Sequence, residues 1–180
     1  MLTRVAAVPG DTVLVTGASG GVGGALVQLA KRRGARVIGL ASEAKQANVA
    51  ALGADRVLAR APDNLQAALG DDKITVLADV VGGPAWPGLI AVLERGGRYV
   101  CSGAIAGPLV TLDLRTLFLR DLTFHGSTVL GPEVMQNLVG YIEGGQVRPA
   151  LSATFRVADL ADAQSAFMAK AHTGNIVVTP

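Results

Sequence analysis

The sequence predicts an α/β fold: a doubly wound parallel sheet of about six strands with helices on both faces. Three observations predict it. Apolar, β-branched runs alternate with helical patterns over most of the 180 residues, the signature of right-handed βαβ crossovers. A glycine-rich segment, Gly17-Ala18-Ser19-Gly20-Gly21-Val22-Gly23-Gly24, stands between the first apolar run and the first helical pattern. With 50% hydrophobic and 17% charged residues, the chain can bury a full core and does not resemble a disordered segment.

The strands are expected at residues 12–16, 36–41, 56–58, 74–80, 97–102 and 122–128. The first helix, residues 21–33, carries Val22, Leu26, Leu29 and Ala30 on one face. Its last turn holds Lys31, Arg32 and Arg33, where cations suit the helix dipole, and Gly34 ends it. The second helix, residues 43–52, has Ser42 at its cap position and Gly53 at its close. A short third helix covers residues 64–69, and a fourth covers residues 84–94 up to Gly96-Gly97. Residues 103–107 read as a loop, and residues 112–119 have helical spacing. Gly131-Pro132-Glu133 opens a helix to about Glu143, with proline at a tolerated first-turn position.

Beyond Pro149 the alternation weakens. A strand near residues 153–156, a helix over 158–170 and a strand at 175–179 make a short strand-helix-strand tail. The expected division is a sheet domain over 1–149 and a C-terminal segment over 150–180, the latter the least settled part.

Composition excludes several functions. The net charge is only +2 and the basic residues are scattered, so neither a nucleic-acid surface nor a polybasic membrane surface is expected. Apolar residues fall in short runs broken by Gly, Pro or charge, and none reads as a membrane span. Met1-Leu2-Thr3-Arg4 lacks the order of a secretory signal, and the single cysteine, Cys101, cannot form an internal disulfide. A cytoplasmic location is expected. Cys101, His125 and His172 are too few and too far apart in sequence to suggest structural zinc.

The glycine-rich segment carries the chemistry. A strand ending at Thr16 leads into glycines that let the backbone turn sharply and approach a pyrophosphate, and the next helix aims its unpaired amides at the anion. Side chains on Gly20 or Gly23 are expected to block that approach. The candidate phosphate-loop residues are Thr16, Ser19, Gly20, Gly21, Val22 and Gly23. Their spacing reads in two ways. From Ala18 it gives Ala18-x-Gly20-x-x-Gly23, with alanine in place of the first glycine of the dinucleotide fingerprint. From Thr16 it gives Thr-Gly-x-x-x-Gly-x-Gly, the pattern of short-chain dehydrogenases. Those enzymes need Tyr-x-x-x-Lys for proton transfer, and four residues after Tyr99 and Tyr141 stand Gly103 and Gly145.

Further segments follow in order: Leu52-Gly53-Ala54-Asp55, Asp79-Val80-Val81-Gly82-Gly83, Gly96-Gly97-Arg98-Tyr99-Val100, Leu112-Asp113-Leu114-Arg115, Gly126-Ser127-Thr128 and Gly174-Asn175-Ile176-Val177-Val178-Thr179-Pro180. On these segments and the glycine loop, nearly the whole chain resembles the cofactor-binding half of the medium-chain dehydrogenase/reductase superfamily. Within it the likeness is to the quinone oxidoreductase-like branch, which overlaps with zinc-containing alcohol dehydrogenase-like proteins. The resemblance implies a Rossmann domain, and it implies that the N-terminal catalytic module supplying the substrate pocket, and in some branches a zinc, is missing from these residues. It also implies a homodimer through the edge strand at 122–128, and a tail that returns to the catalytic module.

The cofactor is read from the end of the second strand. There, about 20 residues past the glycines, this fold places an acid on the adenosine ribose. Here the position is Ala41, followed by Ser42 and Lys45, which together favour NADP(H), because a phosphate gains a charge-assisted bond and the helix end. Ser42 also fits as a plain helix cap, and Glu43 turned inward also fits the ribose. By resemblance, Val81 and Gly82 pass under the adenine-ribose side, Gly103 and Ala104 approach the nicotinamide, and Thr128 lies near its carboxamide. Arg98 and Arg115 read as surface or interface residues. Asn175 replaces the lysine that commonly follows that glycine in the family.

The implied function is hydride transfer between the nicotinamide of NADP(H) and a quinone, enone or other small carbonyl or alkene, with the substrate held by the missing domain. No residue of the chain reads as a catalytic acid or base, so the chain alone is expected to have little activity. Two alternatives stay open: the cofactor half of a zinc-dependent alcohol dehydrogenase, and a non-catalytic NADP(H)-binding sensor or interaction module.

Overall fold

A computed structural model describes all 180 residues. Six strands, β1 (Thr12–Val15), β2 (Arg36–Ala41), β3 (Arg56–Ala59), β4 (Ile74–Asp79), β5 (Leu93–Cys101) and β6 (Thr123–Gly126), form one parallel sheet in the order β3-β2-β1-β4-β5-β6. Side chains alternate between its two faces. Val13, Val15, Val37, Val76 and Ala78 join one core, while Leu14, Ile38, Leu40 and Leu77 join the other. Two apolar faces need two covers, which is why these strands read as continuous apolar runs.

Helices α1 (Gly21–Arg32) and α2 (Glu43–Ala51) cover the first face through Leu26, Val27, Ala30 and Val49. Helices α3 (Leu65–Leu69) and α4 (Trp86–Ala91) cover the second through Leu69, Trp86, Leu89 and Ile90. The doubly wound Rossmann arrangement expected from the sequence is therefore present. The first face is packed closely because Gly39 of β2 has no side chain: a Cβ there would lie 2.8 Å from Val49 and 3.0 Å from Ala18. Helix α5 (Leu114–Leu119) precedes β6 and is capped by Asp113, whose carboxylate accepts from the Arg115 amide at 2.9 Å. Helix α6 (Pro132–Glu143) follows β6 and meets α1 where the Arg32 guanidinium lies 3.5 Å from the centre of the Tyr141 ring.

Four expectations need correction. The fourth helix does not run to residue 94; it stops at Ala91, and Leu93 is already a fully buried strand residue paired with Ile74. The glycine pair read as a helix stop instead lies within β5, at an irregularity where Ile74 faces Leu93 but Val76 faces Arg98. The sixth strand is shorter than expected, so Thr128 lies beyond its end. Arg98, expected at the surface, is only partly exposed. Its guanidinium donates to the Val5 carbonyl at 2.6 Å and pairs with buried Asp11, holding the N-terminal segment and its buried Leu2 and Val5 beneath the sheet.

The tail makes its own small sheet, with β7 (Leu151–Arg156) parallel to β8 (Asn175–Thr179), joined by a 3-10 turn and α7 (Leu160–Met168). No helix of the chain is long and apolar enough to cross a membrane.

Candidate functional site

The C-terminal ends of β1 and β4 are adjacent, and they mark the point where the strand order reverses. Chain connections leave in opposite directions there, and in open parallel sheets such a reversal point is where a binding crevice forms. The glycine loop forms one wall. Gly17 adopts φ +59, and the Gly20 amide donates to the Gly17 carbonyl at 2.9 Å, which folds the chain back before α1. A Cβ on Gly23 would collide with that same carbonyl. The glycine at 23 is thus required for helix and loop to touch, whereas a Cβ on Gly20 would meet nothing closer than the Gly17 oxygen at 3.4 Å. The first-turn amides of α1 have no helical acceptor, and no acidic side chain stands in that turn. This leaves its positive end for an anion. Val22, expected on the apolar face, is 54% exposed, and the buried stripe runs through Gly23, Gly24, Leu26, Val27 and Ala30 instead.

The opposite wall is built around Asp79, which opens the segment Asp79-Val80-Val81-Gly82-Gly83 and has no assigned role in the sequence reading. It is fully buried at the end of β4. One carboxylate oxygen accepts from the Thr16 hydroxyl at 2.5 Å and the Val81 amide at 2.8 Å; the other accepts from the Tyr99 hydroxyl at 3.1 Å, and the Gly82 amide reaches both at 3.2 Å. Thr16 in turn accepts from the Val80 amide at 3.0 Å. The Thr16 hydroxyl is therefore engaged within the protein. Burial pushes the Tyr99 phenol up, helped by its bond to Cys101 and the nearby Asp79 charge, so it stays protonated and donates. A buried carboxylate after a strand rich in Val and Ala was the sequence signal for this node, since burial of a charge demands partners.

Val81 and Gly82 were expected beneath the adenine ribose. Strand order places them after β4, in the half of the sheet opposite β2, because the chain crosses from β3 to the far side of β1 before making β4. There they lock to the loop carrying Gly103 and Ala104: the Ala106 amide donates to the Val81 carbonyl at 2.9 Å and the Gly83 amide to the Gly107 carbonyl at 3.0 Å. Gly82, at φ +60, has no room for a side chain, since a Cβ would stand 2.8 Å from the Gly107 oxygen. Thr128 is exposed, one residue beyond Ser127, whose amide donates to the Cys101 carbonyl at 2.9 Å. Arg115 is exposed and bonds Asp113 alone.

On the β2 side, Ala41 is buried and Ser42 adopts extended geometry as the first residue before α2. Its hydroxyl makes no capping bond. Lys45 is not free: its ammonium donates to the carbonyls of Lys170 and His172, each at 2.6 Å. The tail thus lies against the start of α2 and the glycine loop. The Gly174 amide donates to the Ser19 carbonyl at 2.8 Å, Asn48 donates to Thr173 at 3.1 Å, and the Asn175 side chain lies where a Cβ on Gly21 would be. His172 stacks on Phe167, with ring centres 5.4 Å apart, and its buried Nδ1 has no partner.

The model of the zinc-binding dehydrogenase family matches residues 21–143, from the start of α1 to the end of α6. The chain belongs to that family. It is the nicotinamide-nucleotide-binding domain of the medium-chain dehydrogenases and reductases. An acryloyl-coenzyme A reductase of Metallosphaera sedula is 31% identical over 172 residues, covering 94% of this chain and 51% of that protein. An NADPH-dependent alkenal/one oxidoreductase of Arabidopsis thaliana is 30% identical over 184 residues, covering 99% of the chain and 43% of that protein. Among solved structures, one from Sinorhizobium meliloti 1021, provisionally named an alcohol dehydrogenase, is 44% identical with a TM-score of 0.95 over 100% of the chain and 51% of its own length. The chain spans about half the length of the relatives it matches. The zinc of the family's name finds no ligand set in these residues, since no three His, Cys, Asp or Glu side chains gather as a metal would require.

Proposed function

We propose that this domain binds NADP(H) across the reversal point of its sheet and serves an oxidoreductase that moves hydride between the nicotinamide and a quinone, an enone or a related carbonyl or alkene. One observation carries the choice of NADP(H): the end of β2 bears buried Ala41 in place of an acid, beside an unengaged Ser42 hydroxyl. Lys45 supports it. Two of its three N–H groups go to tail carbonyls, and the third is left for a phosphate at the start of α2. The adenosine half would lie against Ser19, Gly20, Ser42 and Lys45, and the nicotinamide half against Val81, Gly82, Gly103 and Ala104.

When bound, the nicotinamide supplies or accepts the hydride. The chain's own residues bind and orient. Asp79 is saturated with donors and Tyr99 faces it, so neither is offered to a substrate. We assign the proton and the substrate pocket to residues other than these 180, and we propose that the exposed apolar side chains of the tail, Phe167 and Met168 among them, pack against them. The names of the acryloyl-coenzyme A and alkenal/one relatives favour an activated alkene. An edge at β6, flanked by exposed Phe118, Leu119, Val129 and Leu130, supports the homodimer, and a monomeric mass in solution would count against it. A cytoplasmic location belongs to the same proposal.

Calorimetric titration with NADPH and NADH tests the reading. NADPH is expected to bind about tenfold more tightly or better, a preference that Lys45→Glu removes. Equal affinities would remove the case for NADP(H). The chain alone is expected to oxidise NADPH only slowly with a quinone or enone, and rapid turnover would contradict the placement of the substrate pocket. The likeness to the Sinorhizobium meliloti protein favours a second reading, the cofactor half of an alcohol dehydrogenase. Alcohol-dependent reduction of NADP by the longer protein, together with bound zinc, would decide for it.

A further inference from the structure

We infer that Asp79 is a positioning residue whose carboxylate fixes the nicotinamide half of the crevice relative to the glycine loop, so that the affinity for a whole dinucleotide depends on it while the affinity for the adenosine half does not. The inference rests on the nucleotide reading above and deepens it.

The geometry is that of a pin joining three elements. Thr16 directly follows β1, immediately before the glycine loop, and donates to Asp79 at 2.5 Å. Val81 and Gly82 form the turn after β4 and donate from their backbone at 2.8 and 3.2 Å. Tyr99 of β5 donates at 3.1 Å. All these partners are amides or hydroxyls, and no lysine, arginine or histidine balances the charge. A fully buried carboxylate without a cation is costly unless every lone pair is used, and here the donors converge from both walls of the crevice. Removing the carboxylate leaves those donors unsatisfied and frees the turn to move.

The turn does not move alone. The Val81 carbonyl and the Gly83 amide bond the 103–107 loop at 2.9 and 3.0 Å, and Gly82 fits against the Gly107 carbonyl with no space to spare. Loss of the pin therefore shifts Gly103 and Ala104 with Val81 and Gly82. The adenosine side stands on other supports: the Gly20–Gly17 backbone bond, the Gly174–Ser19 bond and the start of α2. Tyr99 extends the network sideways. Its ring meets Trp86 edge-on at 5.7 Å and Phe124 of β6 at 5.1 Å, which fixes the hydroxyl that reaches Asp79.

The test compares two probes on the full chain. NADPH spans both halves of the crevice, and 2′,5′-ADP occupies only the adenosine half. The wild-type chain is titrated first, and failure to bind either probe would sink the nucleotide reading itself. With binding established, Asp79→Asn is expected to weaken NADPH about tenfold or more and to leave 2′,5′-ADP within about twofold. Equal losses for the two probes would mean that Asp79 merely supports the fold, and an unchanged NADPH affinity would remove its role altogether. Should Asp79→Asn fail to fold, Tyr99→Phe removes a single donor and keeps the ring. It is expected to show the same division at about threefold, and loss of both probes together or of neither overturns the inference.

Discussion

In the six-stranded sheet, Leu14, Ile38 and Leu77 are fully enclosed between helices, whereas in the two-stranded tail Leu151, Phe167 and Met168 stand about half or more in solvent and only Ala163 is buried within α7. The sheet holds by buried apolar surface. The tail holds by directional bonds to the rest of the chain: Lys45 to the carbonyls of Lys170 and His172, Ser19 to Gly174, and Gln28 to Arg148 in both directions at 2.9 and 2.8 Å. A groove of about 510 Å³ between α7 and β8, lined by Leu160, Phe167, Met168 and Val178, lies open beside it. The difference teaches that the two regions should fail separately, since burial is shared by the whole sheet while a hydrogen bond to an exposed segment is local.

The largest effect is expected from the sheet. Leu77→Ala should cost about 2–5 kcal/mol of global stability, measured by denaturant unfolding, because the cavity it leaves opens at the centre of the second core. A loss below 1 kcal/mol, by the order of that range, would mean that the sheet is not the cooperative unit. Next comes the tail anchor. Lys45→Ala should raise hydrogen exchange in residues 170–175 by about tenfold while leaving the amides of β1 and β4 protected. Equal exposure of both regions would erase the distinction between them.

Acid provides a third probe, and it acts on the N-terminal edge of the sheet. Desolvation opposes ionisation of Asp72, but bonds from Arg36 at 2.9 Å and Arg56 at 2.7 Å outweigh it and hold its carboxyl below the ordinary 3.8. Asp55 is likewise lowered: burial opposes its ionisation, and the Lys31 ammonium and Val37 amide prevail. A folded-state value below the unfolded one means that this stability is present above about pH 4 and is lost as pH falls further. Because both arginines are at least partly exposed, Asp72→Asn should remove no more than about 1 kcal/mol at neutral pH and should flatten the acid limb of the unfolding midpoint. An unchanged acid limb would remove the ion pairs from the account. The smallest effect is expected in the tail groove, where Phe167→Ala should cost less than about 1 kcal/mol, since half of that side chain is already in water. A loss equal to that of Leu77→Ala would show that the tail shares the sheet's core.

Much of this architecture was legible in order of residues. The apolar runs at Val13–Val15 and Ile74–Ala78 were read as buried strands and the glycines between β1 and α1 as a turn, and the structure agrees: a Cβ at Gly23 has nowhere to go. The start of α2 was also readable, because Ser42 stands at a cap position before a helical run. The end of α4 was not, because Leu93 is apolar in either reading and only its pairing with Ile74 makes it a strand residue.

The local alternation of apolar and polar residues, together with glycine at positions where backbone meets backbone, determined the strands, the loop and the fold class, because those preferences act over a few neighbouring residues. Only the tertiary structure decided that Val81 and Gly82 follow β4 in the half of the sheet away from β2, that Lys45 holds the tail, that Arg98 grips the N-terminal segment and that Asp79 gathers donors from the turns after β1 and β4 and from β5. Those facts join residues dozens of positions apart. They follow from strand order and from the need of each buried charge and amide for a partner, neither of which any short stretch of sequence contains.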